Sequence, residues 1–365
     1  MTAFGKRFAR FFSKRETTAY ASMFIAVAAM LSKLMGFVRD VIVARYFGAT
    51  SATDAYLVAY MFPGIIFSML GTALGTAFLP VFTELNSKNK TKDAWALATN
   101  VLVLLGLLLV VFIIIGEITA PYIVPLMAPG FKEETLQLAI ELTRIVFPSL
   151  IFSVMNGLFN SILNSYRMFS LPALNGVFLN TGYILCILLF SQVLGIKALV
   201  IGTLLGFSLQ CLYLLPSVLK LGKCDLTHLS WKNEHFRRVI RNMIPVVLSL
   251  AVHQIHIVVD RIMASGLAEG SVSSLDYANK LVSLPNQVFV SALATALFPA
   301  LSQMAAEKNT GQVKNLLMHA LRLTAVFIVP ISLGMLILRV PIVGLAFASM
   351  LVIQALKALR KRKAA

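Results

Sequence analysis

From residue 18 onward the sequence is a succession of apolar runs, each long enough to cross a bilayer and separated by short polar or basic segments. A spanning helix needs about 20 mostly apolar residues. In lipid the backbone must also satisfy its own hydrogen bonds, which a helix does within one segment. The chain is therefore read as an all-α polytopic membrane protein. Composition agrees: 58% of the 365 residues are hydrophobic, 13% are charged and the mean hydropathy is +0.84. Soluble domains carry about 25% charged residues. The same figures exclude a disordered chain, and three cysteines (Cys186, Cys211, Cys224) exclude a disulfide scaffold or a cysteine metal site.

The runs predict helices over 18–47, 53–85, 94–126, 134–166, 171–193, 196–220, 236–266, 272–305, 312–337 and a weaker 341–357. Pro63, Pro148, Pro245, Pro285 and Pro330 fall within or near their ends, where kinks are expected.

The net charge of +17 does not point to nucleic acid, because the basic residues sit in clusters between the apolar runs. With the N-terminus in the cytoplasm, the inside segments hold 22 Lys and Arg, and the outside segments hold three: Lys132, Lys197 and Arg339. That bias predicts an inner-membrane protein with a cytoplasmic N-terminus.

An internal repeat relates 52–85 to 274–304. Asp54 precedes Pro63 by nine residues, as Asp276 precedes Pro285, and each copy ends near a second proline, Pro80 or Pro299. The copies begin six spans apart and so point the same way. Parallel repeats predict two lobes about an axis along the membrane normal, with a substrate path between them. The resulting division is a basic tail (1–17), an N-terminal six-helix lobe (18–220), a cytoplasmic linker (221–235), an incomplete C-terminal lobe (236–357) and a basic tail (358–365).

Ionisable residues within spans are costly and mark function by default. Lys33, Arg39, Asp40 and Arg45 crowd the first helix; steps of six spread the three cations around it rather than along one stripe. Asp40 can pair with a neighbour, and Arg45, near the span end, can snorkel to the interface. In the seventh helix His253, His256 and Asp260 share one face, as a relay for ions or protons or as a polar seam between helices. Lys280 follows Asp276 by four residues, within pairing reach. Asp54 is a candidate helix N-cap as well as a site residue. No phosphate-binding glycine loop, nucleophile elbow or zinc motif occurs, so no enzyme activity and no cofactor is expected.

The string LSKLMGFVRDVIVARYFGATSATDAYLVAYMFP closely resembles the first two helices of the MurJ (MviN) family of lipid II flippases. MAPGF (127–131), ILNSYRMFSLPALNGVFLN (162–180), DYANKLVSLPNQV and ATALFPALSQ are also similar to that family. The resemblance implies a transporter of the multidrug/oligosaccharidyl-lipid/polysaccharide exporter superfamily, whose two lobes enclose a cationic cavity for a diphosphate-linked sugar-peptide head group. It implies that Arg39 is a cavity arginine, that Lys33 and Lys280 stand where arginine is frequent, and that Asp54 matches a family acidic residue. Phe67 replaces a helix-two arginine of some members, and Gly64 replaces an asparagine. Relative to the family the chain is short, so a fragment, a shortened paralogue or an inactive remnant is the expectation beside a working carrier.

The function expected is flipping of lipid II by alternating access, with Arg39, Lys33, Lys280, Asp54, Arg45 and Asp40 at the substrate. Membrane lipids are further partners, as are proteins of cell-wall synthesis. A drug or polysaccharide exporter of the same superfamily is the alternative. A polyprenyl-phosphate glycosyltransferase ranks lower, because Glu117, Glu133, Glu134 and Glu269 in the outside loops form no metal pattern.

Overall fold

The structure, a computed structural model, describes residues 18–222, 229–231, 233–285, 297 and 310–338. The predicted helix 341–357, both basic tails and most of 286–309 lie outside the described residues.

Everything described is helix, turn or short connection. Helix α1 is Thr18–Phe47, α2 Ser51–Ser87 and α3 Thr91–Met127, the last with a π-helical turn at Val101–Leu105. Helices α4 (Glu133–Val146) and α5 (Ser149–Ser165) follow one another across a bend of 40°. The bend falls at Pro148, which has no backbone N–H to donate and whose ring crowds the preceding turn. A short turn, Ser170–Ala173, leads into α6 (Asn175–Leu194), followed by α7 (Lys197–Leu221), α8 (Glu234–Ser265), α9 (Ser271–Pro285) and α10 (Thr310–Ile337). Six described helical segments are long and apolar enough to cross a membrane, or seven if the bent pair counts as one span. Apolar faces of these helices remain exposed, such as Leu107, Val111, Ile114 and Ile118 on α3, and suit contact with lipid.

The chain divides into two compact units, one ending at Ser271 and the other beginning at Val272. In the first unit α2 is the central element. It packs on α4 and α5 on one side and on α8 on another, while α7 packs on α5 and α6, and α6 on α1. Phe78 and Phe82 of α2, Leu97 of α3, Ile162 and Leu163 of α5 and Leu214 of α7 fill the core. Lipid tails are as apolar as leucine, so close packing and internal hydrogen bonds, rather than the hydrophobic effect, must hold such helices together.

Both devices are present. At the α6–α7 seam a Cβ on Gly182 would lie 2.5 Å from the Gly206 backbone, and one on Gly206 would lie 2.7 Å from the Leu179 carbonyl oxygen. Only glycine permits that approach. Beside the seam, Asn156 donates to Gln210 Oε1 at 2.7 Å, and its own Oδ1 accepts from Asn160 and Asn175. Gln210 in turn donates to the Asn175 carbonyl oxygen at 2.9 Å. This closed amide network ties α5, α6 and α7 together without a charge. On the other side of α6, Asn180 donates to the carbonyl oxygens of Gly176 and of Ser32, which fastens α6 to α1.

Candidate functional site

Two places in the first unit hold candidate site residues together with charged or polar partners.

One surrounds Arg39. Its Nη2 and Nε both donate to Asp40 Oδ1, at 2.9 and 3.2 Å. The two side chains are 23% and 25% exposed, so the pair is sheltered but still within reach of a ligand. The guanidinium carbon lies 5.1 Å from the centre of the Tyr183 ring, inside cation–π range. Tyr56 and Tyr60 of α2 stack at 6.1 Å and lie near Tyr183. The Tyr60 ring folds back over Gly64, where a Cβ would meet it at 2.9 Å. Helices α1, α2 and α6 thus meet around one cation, its carboxylate and three tyrosines.

The other lies where the loops 48–50, 128–132 and 266–270 converge. Asp54 is 3% exposed, and its Oδ2 accepts from the Gly270 backbone N–H at 2.7 Å. Gly270 has φ +85°, and a Cβ on it would lie 2.6 Å from the Ala49 carbonyl oxygen, so the turn is shaped for glycine. The Gly130 N–H donates to Ser265 Oγ at 3.3 Å, and Lys132 pairs with Glu269 at 2.7 Å. Glu269 holds the exposed Lys132 ammonium above the usual lysine range, first through their hydrogen bond and then through its charge. Three loops are pinned to one another by a buried carboxylate, a hydroxyl and an ion pair.

Of the predicted site residues, Arg39 and Asp40 are in direct contact. Lys33 is exposed, and so is Arg45, in the last turn of α1, where a cation suits both the interface and the helix dipole. The expected capping role of Asp54 is corrected: Thr50 is the N-cap, its Oγ1 accepting from the Thr53 N–H, and Asp54 lies a turn further in. In the second unit Lys280 pairs with Asp276 at 2.9 Å and lies 5.8 Å from the Tyr277 ring centre. The side chains of His253 and His256 lie outside the described residues; Asp260 is exposed. Phe67, which stands where the resemblance implies an arginine in some members, packs on Phe207 with ring centres 4.7 Å apart. That part of α2 is an aromatic contact within the unit.

The tyrosines were missed from the sequence. Tyr56 and Tyr60 are spaced for one face of α2, a signal shared with any buried aromatic pair. Tyr183 is far from Arg39 along the chain and gives no local signal at all. Among the described residues no group of three or more His, Cys, Asp or Glu is placed to hold a metal ion.

Comparison with known proteins follows the same lines. The family model described as lipid II flippase MurJ matches residues 43–350. A probable lipid II flippase MurJ of Buchnera aphidicola subsp. Acyrthosiphon pisum is 30% identical over 328 residues, covering 88% of this chain and 64% of that protein. One of Vibrio cholerae is 30% identical over 342 residues, covering 90% and 65%. The chain thus spans a little under two thirds of the length of these relatives. Among solved structures, a lipid II flippase MurJ in an inward closed conformation superposes with a TM-score of 0.77 at 28% identity, over 89% of this chain and 68% of that one. An inward-facing multidrug resistance transporter of the MATE family superposes at 0.73 with 18% identity, over 89% of this chain and 76% of that one, a likeness of fold alone.

Proposed function

This chain belongs to the lipid II flippase MurJ family, and on that premise we propose that it binds a diphosphate-linked polyprenyl sugar-peptide, lipid II, and takes part in moving it across the inner membrane. Membership makes it a multi-pass transporter protein. The observation that carries the substrate reading is the Arg39 site. A guanidinium that stays charged at any physiological pH is held in an apolar span, sheltered, beside a carboxylate and a tyrosine ring. A phosphate oxygen is the ligand that such a fork fits best.

In this reading Arg39 makes the principal contact to the diphosphate, and Asp40 is its counter-ion in the empty protein. Lys280 and Lys33 are proposed as further cations for the substrate. Arg45 anchors the end of α1 at the interface. Asp54 acts at a distance from the chemistry, by holding the loop ends of the helices together, so that its release accompanies opening on that side. His253, His256 and Asp260 remain the proposed ion or proton relay of α8. The cytoplasmic placement of the N-terminus rests on the charge bias of the loops.

The test is lipid II binding by the purified chain and transport in vesicles. Hydrogen bonds to charged groups contribute about 1.5–3 kcal/mol, so Arg39→Ala should weaken binding about tenfold to a hundredfold. Arg39→Lys should keep part of it, because the charge survives and the fork does not. Normal binding by a well-folded Arg39→Ala protein would remove the diphosphate role and leave Arg39 as a structural partner of Asp40.

A further inference from the structure

The Arg39 guanidinium has a floor as well as a counter-ion, and the floor is held more rigidly than the cation. Tyr183 is 4% exposed. Its backbone sits against α7 so closely that a Cβ on Gly202 would lie 3.0 Å from the Tyr183 Cα. One residue earlier the Gly182–Gly206 contact locks the same seam. From the other side α2 brings the stacked rings of Tyr56 and Tyr60 close to Tyr183. The ring is therefore fixed through its backbone, by glycine packing against α7, and by its burial.

Arg39, by contrast, carries its guanidinium on a long flexible stem, with Asp40 as its ion-pair partner. Asp40 is its neighbour in sequence and moves with the same helix. A fork meets two anion oxygens together only when its plane is set beforehand. The carboxylate cannot set that plane during binding, because it is the group a phosphate must displace. The ring can, since its negative face attracts the cation whether or not the carboxylate is engaged.

We infer that Tyr183 is the positioning residue for Arg39: its clamped ring fixes the plane of the guanidinium, so that the fork and not merely the charge meets the anion. This rests on the diphosphate reading given above. It assigns a role to a residue of α6 that has no contact with the anion itself, and it explains why the α6–α7 seam is built so tightly at this level.

The experiment uses the full chain in detergent and farnesyl diphosphate as the probe, with binding read by calorimetry. Tyr183→Phe keeps the ring face and should bind within about twofold of the unaltered chain. Tyr183→Leu should lose about threefold to thirtyfold, the range of a cation–π contact from exposed to desolvated. The decisive reading is a double-mutant cycle. In the unaltered background Arg39→Lys should lose about tenfold; in the Tyr183→Leu background that further loss should shrink to about twofold, because an unoriented fork is only a charge. A packing defect alone would leave the Arg-to-Lys penalty unchanged and would overturn the inference. If Tyr183→Leu fails to fold, fluorinated phenylalanines at 183 preserve shape while draining the ring face. Binding should then fall stepwise with fluorine number, and a flat series overturns the inference. Two results refute the diphosphate reading itself: no binding by the unaltered chain, or normal binding by Arg39→Ala. Loss in Arg39→Ala with no change in Tyr183→Leu defeats only the role of Tyr183.

Discussion

Replacing Asp54 by alanine removes one buried acceptor and leaves its donor behind. The Gly270 N–H lies 2.7 Å from Asp54 Oδ2 in a site where the carboxylate is 3% exposed, so water does not readily take its place. A hydrogen bond to a charged acceptor contributes about 1.5–3 kcal/mol, and stranding a buried donor costs about as much. The loss therefore falls on whichever arrangement of the loops contains the contact. At about 1.4 kcal/mol per factor of ten, the population in which these loops have separated should rise about tenfold to a hundredfold. Ser265 offers the readout: it is 3% exposed and holds the Gly130 N–H in the same cluster. A cysteine in its place, in a chain otherwise free of cysteine, should react slowly with a membrane-impermeant maleimide, and about tenfold or more faster once Asp54→Ala is added. Asp54→Asn should fall between, since its amide oxygen still accepts but carries no charge. Equal labelling rates in all three proteins, with unchanged melting temperatures, would refute the idea that Asp54 holds this end closed.

Gly130→Ala and Gly270→Ala should each lower the melting temperature in detergent. The new Cβ meets backbone, 2.6 Å from Gly266 N or from Ala49 O, and such overpacking costs about 1–3 kcal/mol; an unchanged melt would show that the loops can part at no cost. Asn156→Leu should destabilise the chain by about 1–3 kcal/mol, because Gln210, Asn160 and Asn175 all lose a partner at once, and a thermal melt that does not shift would mean that the amide network is dispensable. For the orientation, a cysteine at Lys132 should be labelled from outside intact cells and one at Lys220 should not; the reverse pattern would invert the topology.

How far the sequence reveals this protein depends on the range of the interaction concerned. Helix positions are legible because bilayer thickness favours long apolar runs: the run 18–47 predicts the helix Thr18–Phe47, and 196–220 the spanning helix Lys197–Leu221. The break between α4 and α5 was signalled by Pro148, but its 40° size was not, since the angle depends on what the two halves pack against. The π-helical turn at Val101–Leu105 is written in five apolar residues that would serve equally well in an α-helix. At the start of α2, the run Thr50, Ser51, Ala52, Thr53, Asp54 offers four side chains able to cap. Choosing Thr50 frees Asp54 for Gly270, a partner more than 200 residues away that no local rule can name. The same applies to Arg39. Its charge and its neighbour Asp40 are plain in the sequence, whereas the ring beneath it comes from α6.

Each unit contains a cation within reach of both a carboxylate and a tyrosine: Arg39 with Asp40 and Tyr183, and Lys280 with Asp276 and Tyr277. An unpaired cation in an apolar span costs about 2.5–3.5 kcal/mol on insertion scales, which gives the carboxylates a reason to be there. They also set a threshold. Any anion that enters must displace a carboxylate already in place, with the same charge as a singly charged ligand and no entropy left to lose. A monoanion gains little from that exchange. A diphosphate brings more charge and several oxygens, enough to engage an arginine fork at two points. On the proposed reading, the counter-ions and the substrate selectivity are thus one feature: the acids that make the cations tolerable in the membrane are also what a weak anion fails to displace.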